Sequence, residues 1–210
     1  MEKYELAIPA DSMILPGNLT IPAHHKGLII FSHGSGSGRF SPRNIMVARL
    51  LNEKYFATLL FDLLTEEEDK IFQNRFNIEL LSKRLVEVTK WINSSSYNNG
   101  KSIGYFGAST GAASALYAAS EIGSSIKAIV SRGGRPDLAI PILKKVTTPT
   151  LLLIGAMDTQ VIELNKIAYE KIEAEKKLII IEGATHVFEE PGKLEEVAGF
   201  AIEWYQKYIT

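Results

Sequence analysis

The chain contains no cysteine. That single absence excludes disulfides, thiolate zinc sites, iron–sulfur clusters and a cysteine nucleophile. No stretch approaches the ~18 consecutive apolar residues that a membrane-spanning helix requires. An excess of one charge is missing too. The 23 basic and 24 acidic residues leave a formal net charge of -1, so no whole-protein field draws the chain to nucleic acid or anionic lipid. Met1-Glu2-Lys3-Tyr4-Glu5 carries acidic charge and leads into no apolar segment of the signal-peptide kind, which sets the expectation of a cytoplasmic protein. What remains is 210 residues, 46% hydrophobic and 22% charged, suited to one globular domain over residues 1–210.

Short apolar runs alternate with longer amphipathic ones. Gly27–Phe31, Ala57–Phe61, Lys101–Phe106, Ile126–Ser131, Thr150–Ile154 and Lys177–Ile181 read as strands. Several are apolar at consecutive positions, as strands are when helices cover both faces of a parallel sheet. Leu81, Leu85, Val88 and Ile92 fall on one helical face, as do Leu194, Val197, Ala201 and Tyr205, with Pro191 placed for a first turn. The first 25 residues differ. Tyr4–Ile8, Met13–Leu15 and Leu19–Ile21 read as antiparallel edge strands, with Pro16-Gly17-Asn18 as the turn between the last two. The order is that of an α/β fold with a mostly parallel sheet and one antiparallel edge. The acidic run Glu66–Asp69 reads as a solvated loop, with a short flap over a site as the alternative.

Gly107-Ala108-Ser109-Thr110-Gly111 matches G-x-S-x-G, directly after one strand run and before the small-residue helical run Ala112–Ala119. In that setting the two glycines let the chain turn sharply and expose the serine at the carboxyl edge of the sheet. A serine hydroxyl needs a base to take its proton. Of four histidines, His186 follows the last strand run and falls at the same sheet edge as Ser109. Asp158, after the run Thr150–Ile154, is the leading candidate to orient the imidazole. Asp137 and Glu163 compete for that role.

Ser32-His33-Gly34-Ser35-Gly36-Ser37-Gly38 follows the first central strand run. A glycine-rich loop there can turn backbone N–H groups toward a developing oxyanion, and Ser35 and Thr110 are the pair expected to supply them. A flexible Gly/Ser loop is the alternative. A dinucleotide site fails because position 39 is Arg where a third glycine is needed, and Gly100-Lys101-Ser102 precedes a strand instead of following one.

Together these segments resemble the α/β-hydrolase superfamily, and within it the dienelactone hydrolase family. Phe31–Ser37, Gly104–Ala113, Val130-Ser131-Arg132-Gly133-Gly134-Arg135-Pro136-Asp137 and Gly183–Pro191 are similar to a bacterial subgroup. Some of its members are joined to phosphoribosyltransferase-like domains, for which 210 residues leave no room. The resemblance implies a three-layer fold with an eight-stranded sheet, helices on both faces and no lid domain. It implies serine-hydrolase activity on small carboxylic esters or thioesters through an acyl-enzyme, requiring no metal or organic cofactor. Typical members use a cysteine nucleophile where this chain offers Ser109, which points away from dienelactone itself. A non-catalytic partner protein on the same scaffold is the rival reading.

Arg132 and Arg135 follow a strand run toward the same edge, and Arg43 follows Ser41-Pro42. A guanidinium there can hold a carboxylate or phosphate, which would make the small-molecule substrate an anionic one. The alternative for each is a structural or surface arginine. Asp62, ending the run Ala57–Phe61, is a further candidate at the mouth.

Overall fold

The computed structural model describes residues 1–209. Eight strands form one sheet in the order β1-β2-β4-β3-β5-β6-β7-β8. They are β1 Glu2–Ala10, β2 Met13–Ile21, β3 Gly27–Ser32, β4 Phe56–Phe61, β5 Ile103–Ala108, β6 Ile126–Arg132, β7 Thr150–Gly155 and β8 Lys176–Ile181. β1 and β2 pair antiparallel, β2 joins β4 antiparallel, and every other pairing is parallel. The helices are α1 Pro42–Glu53, α2 Glu66–Asp69, α3 Ile78–Ser94, α4 Thr110–Ile122, α5 Thr159–Lys171 and α6 Lys193–Tyr208.

β3, β4 and β5 are buried at every position, which explains their unbroken apolar sequences. Leu81, Leu85, Val88 and Ile92 of α3 and Ala113, Leu116 and Ala119 of α4 fill one face of the sheet. Val47 and Leu51 of α1 and Leu194, Val197, Ala201 and Tyr205 of α6 fill the other. Apolar burial at about 25 cal/mol per Å² makes both layers favourable, and only a sheet covered twice can bury strands of this composition.

The N-terminal reading needs correction. There are two nine-residue strands, and Pro16-Gly17-Asn18 lies inside β2 instead of turning it. The hairpin turns at Asp11–Ser12, where Asp11 takes φ +58° between the paired residues Ala10 and Met13. Gly17 pairs with Leu6 on one side and Phe61 on the other, and a Cβ there would sit 2.7 Å from Ile8 Cδ1. Pro16 lies just beyond the end of the β2–β4 pairing, so its missing N–H breaks no bond to β4. The acidic run also departs from expectation. It is the short helix α2, capped by Thr65, with Glu68 paired 2.8 Å from the buried Arg84.

The chain leaves β3 through α1 to β4, then crosses through α3 to β5 on the opposite side of β3. The loops after β3 and β5 therefore part at a topological switch, where open α/β sheets form a crevice for ligands. Close packing holds the two loops together. A Cβ on Gly111 would overlap the carbonyl oxygens of Ser32 and His33, while the Ser32 and Ser114 hydroxyls bond at 2.7 Å. Gly111→Ala is expected to cost about 1–3 kcal/mol through overpacking against backbone that cannot retreat. Urea unfolding beside wild type measures the loss, and an unchanged midpoint would remove this account of Gly111.

Candidate active site

Ser109 stands between β5 and α4 with φ +51° and ψ -123°, outside the regions that L-residues normally occupy. Gly107 makes the reversal possible, since a Cβ there would lie 2.5 Å from Ala112 Cα. Hydrogen bonds fix the serine backbone on both sides. Its N–H donates to Arg132 O at 3.3 Å, and its carbonyl accepts from Ala112 N at 3.1 Å and Arg135 N at 3.0 Å. Its side chain stands at the mouth of α4, whose first-turn N–H groups have no partners inside the helix.

His186 and Asp158 meet as their sequence positions suggest. His186 Nδ1 and Asp158 Oδ2 are 2.6 Å apart, with the carboxylate mostly buried and the imidazole side chain 42% exposed. Backbone bonds from Ala156 N to Ile181 O and from Met157 N to Ala184 O bring their loops together. Gly155 permits this approach, because a Cβ there would overlap the Ala184 and Thr185 carbonyl oxygens. Phe188, fully buried at φ +58°, anchors the histidine loop in the core, and Glu190 Oε1 accepts from Thr185 N. The competing acids are engaged elsewhere: Asp137 forms a two-point pair with Arg135, and Glu163 pairs with Lys166.

The Arg132–Arg135 loop lies between the two halves of the site. Gly133 packs on the histidine loop, where a Cβ would stand 2.9 Å from His186 O and 3.5 Å from His186 Nδ1. Among the described residues the Ser109 hydroxyl makes no hydrogen bond to His186. Ligand-free sites often hold such partners apart until substrate arrives.

The glycine-rich loop is anchored, not free. His33 is buried, with Nδ1 on Gly34 O at 2.9 Å and Nε2 accepting from Leu63 N at 3.0 Å. This arrangement fixes a neutral ring with its proton on Nδ1. Ser35 N–H does not stand free to face an oxyanion, as the sequence led us to expect, because it donates to Thr110 Oγ1 at 3.0 Å. The Thr110 hydroxyl is thus a feature that sequence reading missed. Nothing in the motif distinguishes position 110 except the backbone N–H that follows the serine.

The four charged candidates separate. Asp62 accepts from Arg39 N at 2.7 Å and pairs with the Arg39 guanidinium, so it braces the Gly36–Phe40 segment. Arg135 is held by Asp137, and Arg43 pairs with Glu189 at 2.9 Å. Arg132 differs from all of them. It is 7% exposed, Nε and Nη1 are buried without a partner, and burial together with the nearby Arg43 charge pushes its pKa down to about 10.

The sheet order, with its parallel strands and antiparallel N-terminal edge, is that of the α/β-hydrolase fold. The Dienelactone hydrolase family profile matches residues 15–208, and the chain belongs to that family. It is 48% identical over 205 residues to a Mycobacterium tuberculosis protein provisionally named a phosphoribosyl transferase. That match covers 98% of this chain and 46% of the other, so the chain spans about half the length of the curated relatives it matches. The crystal structure of dienelactone hydrolase from Anabaena variabilis superposes with a TM-score of 0.96 at 46% identity, covering 100% of this chain and 99% of that one. Est1E from Butyrivibrio proteoclasticus shares the fold, with a TM-score of 0.83 at 19% identity over 97% of this chain and 98% of its own. No helix among the described residues is long and apolar enough to cross a membrane.

His33 generates a pH prediction. Burial holds its pKa below the ordinary 6.5, so the folded chain favours the neutral ring. Between that lowered value and 6.5 the unfolded chain binds more protons, so stability is complete above 6.5 and declines as pH falls below it. His25 is shifted the same way by burial, so the His33 share must be isolated. Urea midpoints measured from pH 7 to pH 5 should fall less steeply in His33→Gln than in wild type. Equal slopes would show that His33 carries none of this dependence.

Proposed function

We propose that the protein is a serine hydrolase that cleaves small carboxylic ester or thioester bonds through an acyl-enzyme. One observation carries the reading. Ser109 occupies a strained strand-to-helix turn, at the sheet edge where Asp158 holds His186 at 2.6 Å. In this scheme His186 Nε2 takes the Ser109 proton as Oγ attacks the carbonyl carbon. Asp158 keeps the ring proton on Nδ1 and stabilises the imidazolium that forms. His186 returns the proton to the departing alkoxide or thiolate, then activates a water that hydrolyses the acyl-serine.

The negative oxygen of the tetrahedral intermediate needs donors already in place. Thr110 N–H, in the first turn of α4 where the helix itself offers no acceptor, is one. Ser35 N–H is the second, and using it requires the Thr110 hydroxyl to share or release its present bond. Membership in a hydrolase family supports the reaction class. The similar Anabaena variabilis protein is named a dienelactone hydrolase, and a lactone is itself an ester of the proposed kind. The phosphoribosyl transferase name belongs to proteins about twice as long, while the acyl-transfer reading rests on residues within this chain.

A fluorophosphonate probe followed by intact mass tests the nucleophile. One adduct is expected on wild type, mapped to Ser109 and absent in Ser109→Ala. An unlabelled, folded wild type that also turns over no activated ester would overturn the reading in favour of a binding protein. Asp158→Asn is expected to lower ester turnover by a factor on the order of 10⁴ through loss of the correct imidazole tautomer. Asp137→Asn should stay near wild type. The reverse order would reassign the acid.

A further inference from the structure

The sheet has two edges, and the chain treats them differently. β1 carries Glu2, Lys3 and Glu5 along its length and Pro9 near its end, features that discourage a further strand from pairing. β8, at the other end of the order, pairs only with β7. It reads Lys176-Lys177-Leu178-Ile179-Ile180-Ile181, with no proline, and stays in unbroken register with its neighbour.

The ladder decides which backbone groups of β8 stay open. Thr150 N–H donates to Glu175 O and Ala156 N–H to Ile181 O, so the odd-numbered residues of β8 bond to β7. The N–H and C=O groups of Lys176, Leu178 and Ile180 therefore point outward, and no strand among the described residues receives them. Side chains alternate in the same rhythm. Leu178 packs with Val161 and Ile162 on the α5 face, while Ile179 and Ile181 belong to the α6 face. Ile180 is left 39% exposed.

Lysines at an edge ordinarily guard it. Lys176 does not, because its ammonium folds back onto the end of α5, 2.6 Å from both Tyr169 O and Ile172 O. A lysine has a third donor, and here it is left over. Glu182, directly after the strand, is exposed, and its side chain forms no ion pair or hydrogen bond among the described residues. The segment thus begins in positive charge, runs through apolar residues and ends in negative charge. Parallel pairing of two such segments would set like charges side by side. Antiparallel pairing sets opposite charges together.

We infer that β8 is an interface for a second copy of this chain, paired antiparallel about a twofold axis at Ile179, so that two sheets become one. In this register Leu178 exchanges backbone hydrogen bonds with Ile180 of the second copy, and Lys176 lies opposite Glu182 of the second copy. Moving the axis to Leu178 would set Lys176 against Ile180, and moving it to Ile180 would set Glu182 against Leu178. The axis at Ile179 alone matches charge with charge and apolar with apolar. A contact that uses the same surface on both copies closes as a dimer. Glu182 leads into the loop that carries His186, so the contact reaches the start of the histidine loop. The inference does not depend on the hydrolase proposal.

Sedimentation of the intact chain tests the interface, and wild type is expected to be a concentration-dependent dimer. Ile180→Pro removes an outward N–H and leaves the bonds to β7 in place. It should keep the circular dichroism of wild type and raise the dimer Kd about tenfold or more. Glu182→Lys, an exposed change, sets like charges opposite each other and should raise the Kd about threefold or more at low salt. The absence of cysteine makes the register itself measurable. Ile179→Cys places two thiols across a non-hydrogen-bonded pair with Cα atoms about 4.5 Å apart, within disulfide reach. Mild oxidation should give a covalent dimer. Ile180→Cys, whose copies are offset along the strand, should give none.

A wild type that sediments as a monomer at every soluble concentration would overturn the inference. A dimer untouched by Ile180→Pro would do the same by placing the contact elsewhere on the surface. Cross-linking that fails in Ile179→Cys, or is stronger in Ile180→Cys, would sink the register and with it the charge argument.

Discussion

Ser109 is held at φ +51° and ψ -123°. Such a conformation costs a non-glycine residue about 1–3 kcal/mol and persists only where its surroundings over-determine it. Here the N–H is tied to Arg132 O, the carbonyl to Ala112 N and Arg135 N, and glycines at 107 and 111 admit the neighbouring backbone. Much else follows from that geometry. β3 must approach α4 closely enough for Ser32 and Ser114 to bond, which places the glycine-rich loop beside the serine. The Arg132–Arg135 loop must fold back over the carboxyl edge to reach the Ser109 carbonyl, and in doing so it supplies the surface on which His186 rests.

The central strands were readable because burial on both faces forces consecutive apolar residues, a pattern that survives without structural context. Ser109, Asp158 and His186 were readable for a related reason. Each follows a strand of a parallel sheet, and such strands deliver their following loops to one edge. The N-terminal hairpin was not readable, because Pro16 and Gly17 have two meanings. They signal a turn in isolation, but Gly17 sits between β1 and β4 with its Cα against Ile8, and the true turn at Asp11–Ser12 lacks glycine. The Arg39–Asp62 pair joins positions far apart in sequence, and no local pattern announces it.

The same distinction explains why the loops resisted prediction. A glycine-rich segment looks permissive, yet His33 fixes its start through Gly34 and Leu63, and Asp62 fixes its end through Arg39. Both anchors reach it from the β3–β4 neighbourhood. The segment is therefore positioned by strand ends and not by its own composition. That matters for an oxyanion site, whose value depends on donors that do not reorganise during the reaction. The Thr110 hydroxyl adds a further tie by holding Ser35 N–H near the N–H of its own residue.

Arg132 joins these themes because its backbone and side chain do separate work. The carbonyl belongs to the network that holds Ser109, while Nε and Nη1 of the guanidinium are buried with no hydrogen-bond partner among the described residues. A structural arginine would be expected to end on a carboxylate, as Arg135 does on Asp137 and Arg84 on Glu68. This fold has acidic residues available at the same edge, in Glu189 and Glu190, and directs neither to Arg132. Glu189 goes to Arg43, and Glu190 to Thr185. The missing salt bridge is therefore not for want of carboxylates at this edge of the sheet.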